Sequence, residues 1–103
     1  MTTDKKVTES LFELFCNLME NKIFLITEFN LKDASILCNC SSLVLEQTIN
    51  KKLGFSFTQI ISLYRVGYAR KLLSIGVSYA FVYKYSGFNS VKELEKAMEC
   101  IVN

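Results

Sequence analysis

The residues of this chain best suited to chemistry are its four thiols, Cys16, Cys38, Cys40 and Cys100, two of them separated by a single asparagine in "LCNCSS". Thiolates that converge hold zinc. Short zinc motifs, however, space their paired cysteines by about two to four residues and often draw on histidine. Here the paired spacing is one residue and there is no histidine at all. A cysteine in a reducing cell is otherwise a small apolar residue that packs. The expectation is therefore no metal, no cofactor and no disulfide framework. Catalysis has as little to work with. Without histidine, without a glycine-rich phosphate loop and without paired carboxylates in a plausible cleft, the residues do not point to an enzyme.

Charge carries more information through its placement than through its total, which is +2. Residues 1–41 hold four basic and six acidic groups, and residues 86–103 hold two and three. Between them, residues 42–85 hold six basic groups (Lys51, Lys52, Arg65, Arg70, Lys71 and Lys84) against one acid, Glu46. A basic centre between acidic ends suits an anionic partner met by the middle of the chain. Half of the 103 residues are apolar and none is proline, which argues against disorder. No apolar run is long enough to span a bilayer and no signal peptide opens the chain, so no membrane and a cytoplasmic location are expected.

The elements that must position these groups read as helices. "ESLFELFCNLMEN" repeats Leu11, Leu14, Phe15 and Leu18 at helical spacing. Asn30 stands as an N-cap before Leu31, and "SSLVLEQTINKKLG" runs from a serine cap to Gly54, a residue suited to the left-handed C-terminal position. "SFTQ" pairs Ser56 with Gln59 and "SVKE" pairs Ser90 with Glu93, two capping boxes that open a long helix and a final one. The spacing predicts helices near 9–21, 31–38, 42–53, 57–74, 79–85 and 91–101, an all-α single domain over 1–103. The segment "SYAFVYKYSG" is ambiguous by itself, since Tyr79, Phe81, Tyr83 and Tyr85 alternate as in a strand.

An internal repeat resolves that ambiguity. Leu31 aligns with Tyr79, Ala34 with Val82, Asn39 with Gly87 and Cys40 with Phe88; after one extra residue, Leu45 aligns with Leu94 and Ile49 with Met98. Each copy is a short helix, a turn residue, an apolar plug, a polar cap and a second helix, which is a helix-turn-helix pattern. Gly87 supplies the positive φ of its turn, and Asn39 takes that place in the first copy, asparagine being one of the few other residues that visit this region. Cys38 and Cys40 then bracket a turn and fill space.

Two such units joined by one long helix resemble the DNA-binding domain of AraC-type transcription regulators. The likeness covers roughly residues 9 to 98. It rests on the first unit, on Arg65, Ala69, Leu72 and Leu73 in "YRVGYARKLL", and on the Gly87-Phe88 turn. It implies a first helix-turn-helix at about 31–53, a linker helix at about 57–74, a second helix-turn-helix at about 79–101, and double-stranded DNA as partner. Family members insert two recognition helices into successive major grooves. By this resemblance the helix from Ser42 to Leu53 is the first reader. Leu45 and Ile49 form its core side, and Ser42, Leu43, Glu46, Gln47 and Asn50 face bases. Gln47 and Asn50 suit adenine edges, Glu46 the cytosine amino group and Leu43 a thymine methyl. Lys51 and Lys52 suit phosphates, and in the second unit Ser90, Lys92 and Lys96 are the candidates. Arg65 either touches phosphate or locks the linker helix to the first unit, the family pattern favouring the lock. Tyr64, Tyr68, Tyr79 and Tyr83 are expected in the core. The effector-sensing or receiver domain often found ahead of this module is the further partner the likeness implies.

The sequence departs from the family where Tyr83 replaces a usual alanine, and where Met98-Glu99 stands in place of the family's Phe-Lys and its basic tail. Glu93, Glu95 and Glu99 also make the second reading helix acidic. These changes define the alternative: a second unit that has drifted into a protein-binding surface, with Phe81, Tyr85 and Val91 partly exposed.

Overall fold

The computed structural model describes residues 2–102 and the side chains of residues 8–100. Among the described residues the chain is all-helical. The order is α1 (Thr2–Glu20), a short 3-10 turn (Ile23–Leu25), α2 (Leu31–Leu37), α3 (Ser42–Leu53), α4 (Phe57–Ser74), α5 (Tyr79–Tyr85) and α6 (Val91–Val102). The expected bounds hold for α2 to α6 within a residue. Two things differ: α1 begins at Thr2 rather than near residue 9, and the 3-10 turn lies where a connection was expected. No described helix is long and apolar enough to cross a membrane.

The alternating segment is helix α5. Val82 is fully buried while Phe81 and Tyr85 are each 55% exposed, so the aromatic residues ring the helix instead of lining one face of a strand. That distribution is what made the pattern look period-two: a helix with apolar residues on its wet side carries no clean 3.6-residue signal.

The repeat seen in the sequence is also a repeat of backbone geometry. Ala34 and Val82 are fully buried at matching positions, as are Leu45 and Leu94. Asn39 has φ 56° and Gly87 has φ 92°. Just past each turn the same bond closes the short helix: Cys40 N donates to Ser35 O at 3.0 Å, and Phe88 N donates to Tyr83 O at 2.9 Å. This six-to-one bond with a left-handed residue is the Schellman way of satisfying the last carbonyls of a helix. The second helices start alike too. Ser41 Oγ accepts from Val44 N at 3.2 Å, and Ser90 Oγ accepts from Glu93 N at 3.1 Å.

The chain divides into two compact units. The first comprises the residues up to Ile23 together with Phe29–Ile60. Its core is Leu11, Phe15 and Met19 of α1, Phe29, Ala34 and Cys38 around α2, Leu45 and Ile49 of α3, and Phe57 and Ile60 at the start of α4. Phe57 meets the rings of Phe15 at 6.2 Å and Phe29 at 5.8 Å between centroids. The second unit comprises Phe24–Glu28 and the chain from Ile61 onward. There Val66 and Ala69 of α4, Val82, Phe88 and Leu94 form a buried cluster, flanked by Leu72, Leu73, Val77, Tyr83, Ala97 and Met98. A short segment from between α1 and α2 is thus structurally part of the second unit.

Candidate nucleic-acid interface

Helix α3 has an inner and an outer side of different chemistry. Leu45 and Ile49 are completely buried, and Thr48 joins them with its hydroxyl donating to Val44 O at 2.9 Å. On the outer side Leu43 (67% exposed), Val44 (42% exposed), Gln47, Asn50 and Lys51 all meet solvent. At about 100° per residue these five side chains fall within an arc of roughly 120°. The apolar pair stands in the first turn, the amides in the middle and the lysine in the last turn.

Ser42 and Glu46, expected to face bases, and Lys52, expected at phosphate, have partners within the first unit. Ser42 is half-buried, and its hydroxyl lies 3.2 Å from Ser35 Oγ. Since the single Ser35 proton goes to Lys32 O at 2.7 Å, Ser42 is the donor of that pair, tying α3 to α2. Glu46 is half-buried, and its carboxylate accepts from Phe57 N at 2.7 Å. The first N–H groups of a helix have no partner within it, and a negative charge beside them also meets the favourable end of the helix dipole. Glu46 therefore anchors the start of α4. Lys52 places Nζ 5.9 Å from the centre of the Phe12 ring on α1, well round the helix from Gln47. Val44 is the residue missed in the sequence. The spacing that sets Leu45 and Ile49 inward also puts it on the outer side, one turn from Gln47 and two from Lys51.

Helix α6 is organised around its cap. Ser90 holds Glu93 N, and the Glu93 carboxylate reaches back to Asn89, accepting from its backbone N and its side-chain Nδ2, both at 3.3 Å. The expected capping box is present with the return bond one residue further back than anticipated. The Tyr79 hydroxyl is pushed above its ordinary pKa by burial first, and then by the charge of Glu95 and its hydrogen bond to that carboxylate. So Glu93 and Glu95 both have partners within the second unit. Lys92 and Lys96 are exposed one turn apart, with Glu99 also exposed, and Leu94 is fully buried beneath them.

Arg65 acts as a lock, but not to the first unit. Its guanidinium donates to Phe24 O at 2.7 Å through Nε, and to Ile26 O at 3.0 Å and Thr27 O at 3.3 Å through Nη2. Burial lowers its pKa from the ordinary value and the Glu93 charge opposes the shift. The planar fork suits several carbonyls converging from one turn. The turn at Gly87 lies against the same group: a Cβ there would stand 2.6 Å from Phe24 O and 2.8 Å from Arg65 Nε. Phe24 also meets Tyr64 at 5.3 Å and Tyr68 at 6.3 Å. Of the tyrosines expected in the core, Tyr68 and Tyr83 are half-buried, whereas Tyr64 and Tyr79 are exposed.

Three of the four thiols sit as apolar fillers would. Cys38 is buried, Cys16 and Cys40 are half-buried, and Cys100 is exposed. Burial pushes the first three above the usual thiol pKa, with neighbouring Cys40 adding to the effect on Cys38 and two acids, Glu20 and Glu13, adding to it on Cys16. Among the described residues no three potential ligands come together at a metal-binding distance. The outer side of α3 is a strip of aliphatic, amide and ammonium groups, with the one acid of the helix bound to Phe57 N. No family model, curated protein or solved structure matches the chain.

Proposed function

We propose that this protein binds double-stranded DNA as the output part of a transcription regulator, through two helix-turn-helix units of AraC type joined by α4, with the first unit carrying most of the contact. The observation that carries this reading is the outer side of α3. It begins at a capped turn, presents Leu43, Val44, Gln47 and Asn50 in its first turns, and ends on Lys51, with Glu46 drawn to Phe57 N. Amides recognise base edges and an ammonium neutralises phosphate, in the order along the helix that a major-groove reader needs. The geometric repeat of caps and turns, and the spacing of Arg65, Ala69, Leu72 and Leu73, support the family assignment. A sensor or receiver domain is the regulatory partner this reading calls for.

The test is a fluorescence-anisotropy titration of the full chain against random-sequence duplex at two salt concentrations. Binding that weakens with salt is expected. Lys51→Ala should weaken it on all sequences and lower the salt slope by about one. An absence of salt-dependent binding even at low salt rejects the proposal.

A second reading is favoured by one specific surface. On α5, Phe81 and Tyr85 are exposed, and Lys84 Nζ stands 5.5 and 5.6 Å from their ring centres. Next to an acidic α6, this suits a protein partner better than phosphate. In a duplex titration followed by amide shifts, responses confined to 42–53 fit a divided molecule, DNA on the first unit and protein on the second. Equal responses over 91–101 remove the second reading.

A further inference from the structure

We infer that α3 selects A·T-rich duplex by contacting the C5-methyl groups of thymine with Leu43 and Val44. This deepens the DNA-binding reading and rests on it. The starting observation is two aliphatic side chains, 67% and 42% exposed, side by side in the first turn of the helix that would enter the groove. That turn is where a recognition helix meets base edges. Among the base edges displayed in the major groove, the one apolar group is the thymine methyl. An exposed leucine and valine therefore have one kind of base to bury against.

The rest of the strip selects the same base pair. Gln47 and Asn50 follow one and two turns after Leu43, and their amides match the acceptor and donor that adenine shows at N7 and N6. A thymine methyl and an adenine edge belong to one A·T pair, so both chemistries converge on it. The groups that would favour G·C are missing from the first two turns of the outer side. No arginine stands there to read guanine. Glu46, the group that would accept from the cytosine amino, is held by Phe57 N. Lys51 comes only in the last turn, at the phosphate end of such a helix. A protein partner would also bury Leu43 and Val44. An outer strip without a free acid and with a terminal lysine, however, has the charge complementarity of an anionic polymer.

The experiment uses the full chain and a duplex selected by it from a random-sequence library. Each thymine of the selected site is then replaced by deoxyuridine, which removes the methyl and keeps the hydrogen-bond edge. Burying one methyl is worth about a fourfold change in Kd, so each contacted position should weaken binding about fourfold. Leu43→Ala and Val44→Ala, made separately and checked for unchanged helix content by circular dichroism, should each reduce the thymine–uracil difference while leaving the salt slope intact. A selected site rich in G·C, or equal binding of the thymine and uracil duplexes, overturns the thymine contact while duplex binding itself stands. Persistence of the full difference in both variants overturns the assignment to these residues. No salt-dependent binding to any duplex overturns both this inference and the reading beneath it.

Discussion

Helices α2 and α3 and helices α5 and α6 are built on one plan and finished differently. The plan is the buried pair Ala34 and Val82, the buried pair Leu45 and Leu94, the caps Ser41 and Ser90, and the left-handed turn closed by the same backbone bond. The finish lies outside. Helix α3 shows aliphatic and amide groups with its one acid bound to Phe57 N; helix α6 shows lysines and glutamates, with two of the acids occupied by a cap and a tyrosine. The lesson is about which positions are coupled. Caps, turn and core constrain one another within each pair, whereas an outer residue answers only to what docks there. One framework can therefore carry two different surfaces.

The sharpest way to break the comparison is at the two turns. Gly87→Ala should cost about 2–4 kcal/mol, because a Cβ at positive φ is strained and this one would meet a carbonyl and a guanidinium. Asn39→Gly at the matching place should be neutral to slightly stabilising, since glycine takes φ 56° without strain. Urea denaturation of both variants decides it; equal effects would mean that the second turn is not specially crowded.

Arg65→Ala comes next. It removes donors to three carbonyls and should cost about 2–3 kcal/mol, with Arg65→Lys restoring less than half. The carbonyls it holds belong to the second unit, so amide exchange should accelerate chiefly in 24–28 and α5. Uniform acceleration over both units would contradict a local role.

The caps should behave as twins. Ser41→Ala and Ser90→Ala should each lower stability by about 1 kcal/mol, as loss of a serine cap usually does. Thermal melts that separate them by more than twice that amount would show that the matching bonds carry unequal weight.

The smallest effect is expected on DNA affinity from Glu99→Lys on exposed α6. If the first unit carries the contact, this change should alter duplex Kd by less than about twofold, well below the effect of Lys51→Ala. A gain as large as the Lys51→Ala loss would place α6 at the phosphates as well and erase the functional difference between the pairs.

How much of this was legible beforehand depends on the range of each interaction. The caps at Asn30, Ser41, Ser56 and Ser90 act over three residues, and both hydrogen bonds of the Ser56–Gln59 box form as its spacing implies. The turn residues Asn39 and Gly87 were readable for the same reason: handedness is a property of the residue itself. At the candidate interface the periodicity separated Leu45 and Ile49 from Leu43, Gln47 and Asn50, because the side of a helix that is buried follows from its own apolar spacing.

What tertiary structure alone decided is where the long-range partners lie. Nothing near Glu46 in the sequence announces that a backbone N–H eleven residues on will claim its carboxylate. Nothing near Arg65 announces carbonyls about forty residues earlier. Nothing near Ser42 announces that Ser35 will lie opposite its hydroxyl and tie α3 to α2. Local free energies choose helix, cap and turn from a few neighbouring residues. Which polar group remains available to a partner is settled only when distant segments meet and satisfy, or fail to satisfy, one another's hydrogen bonds.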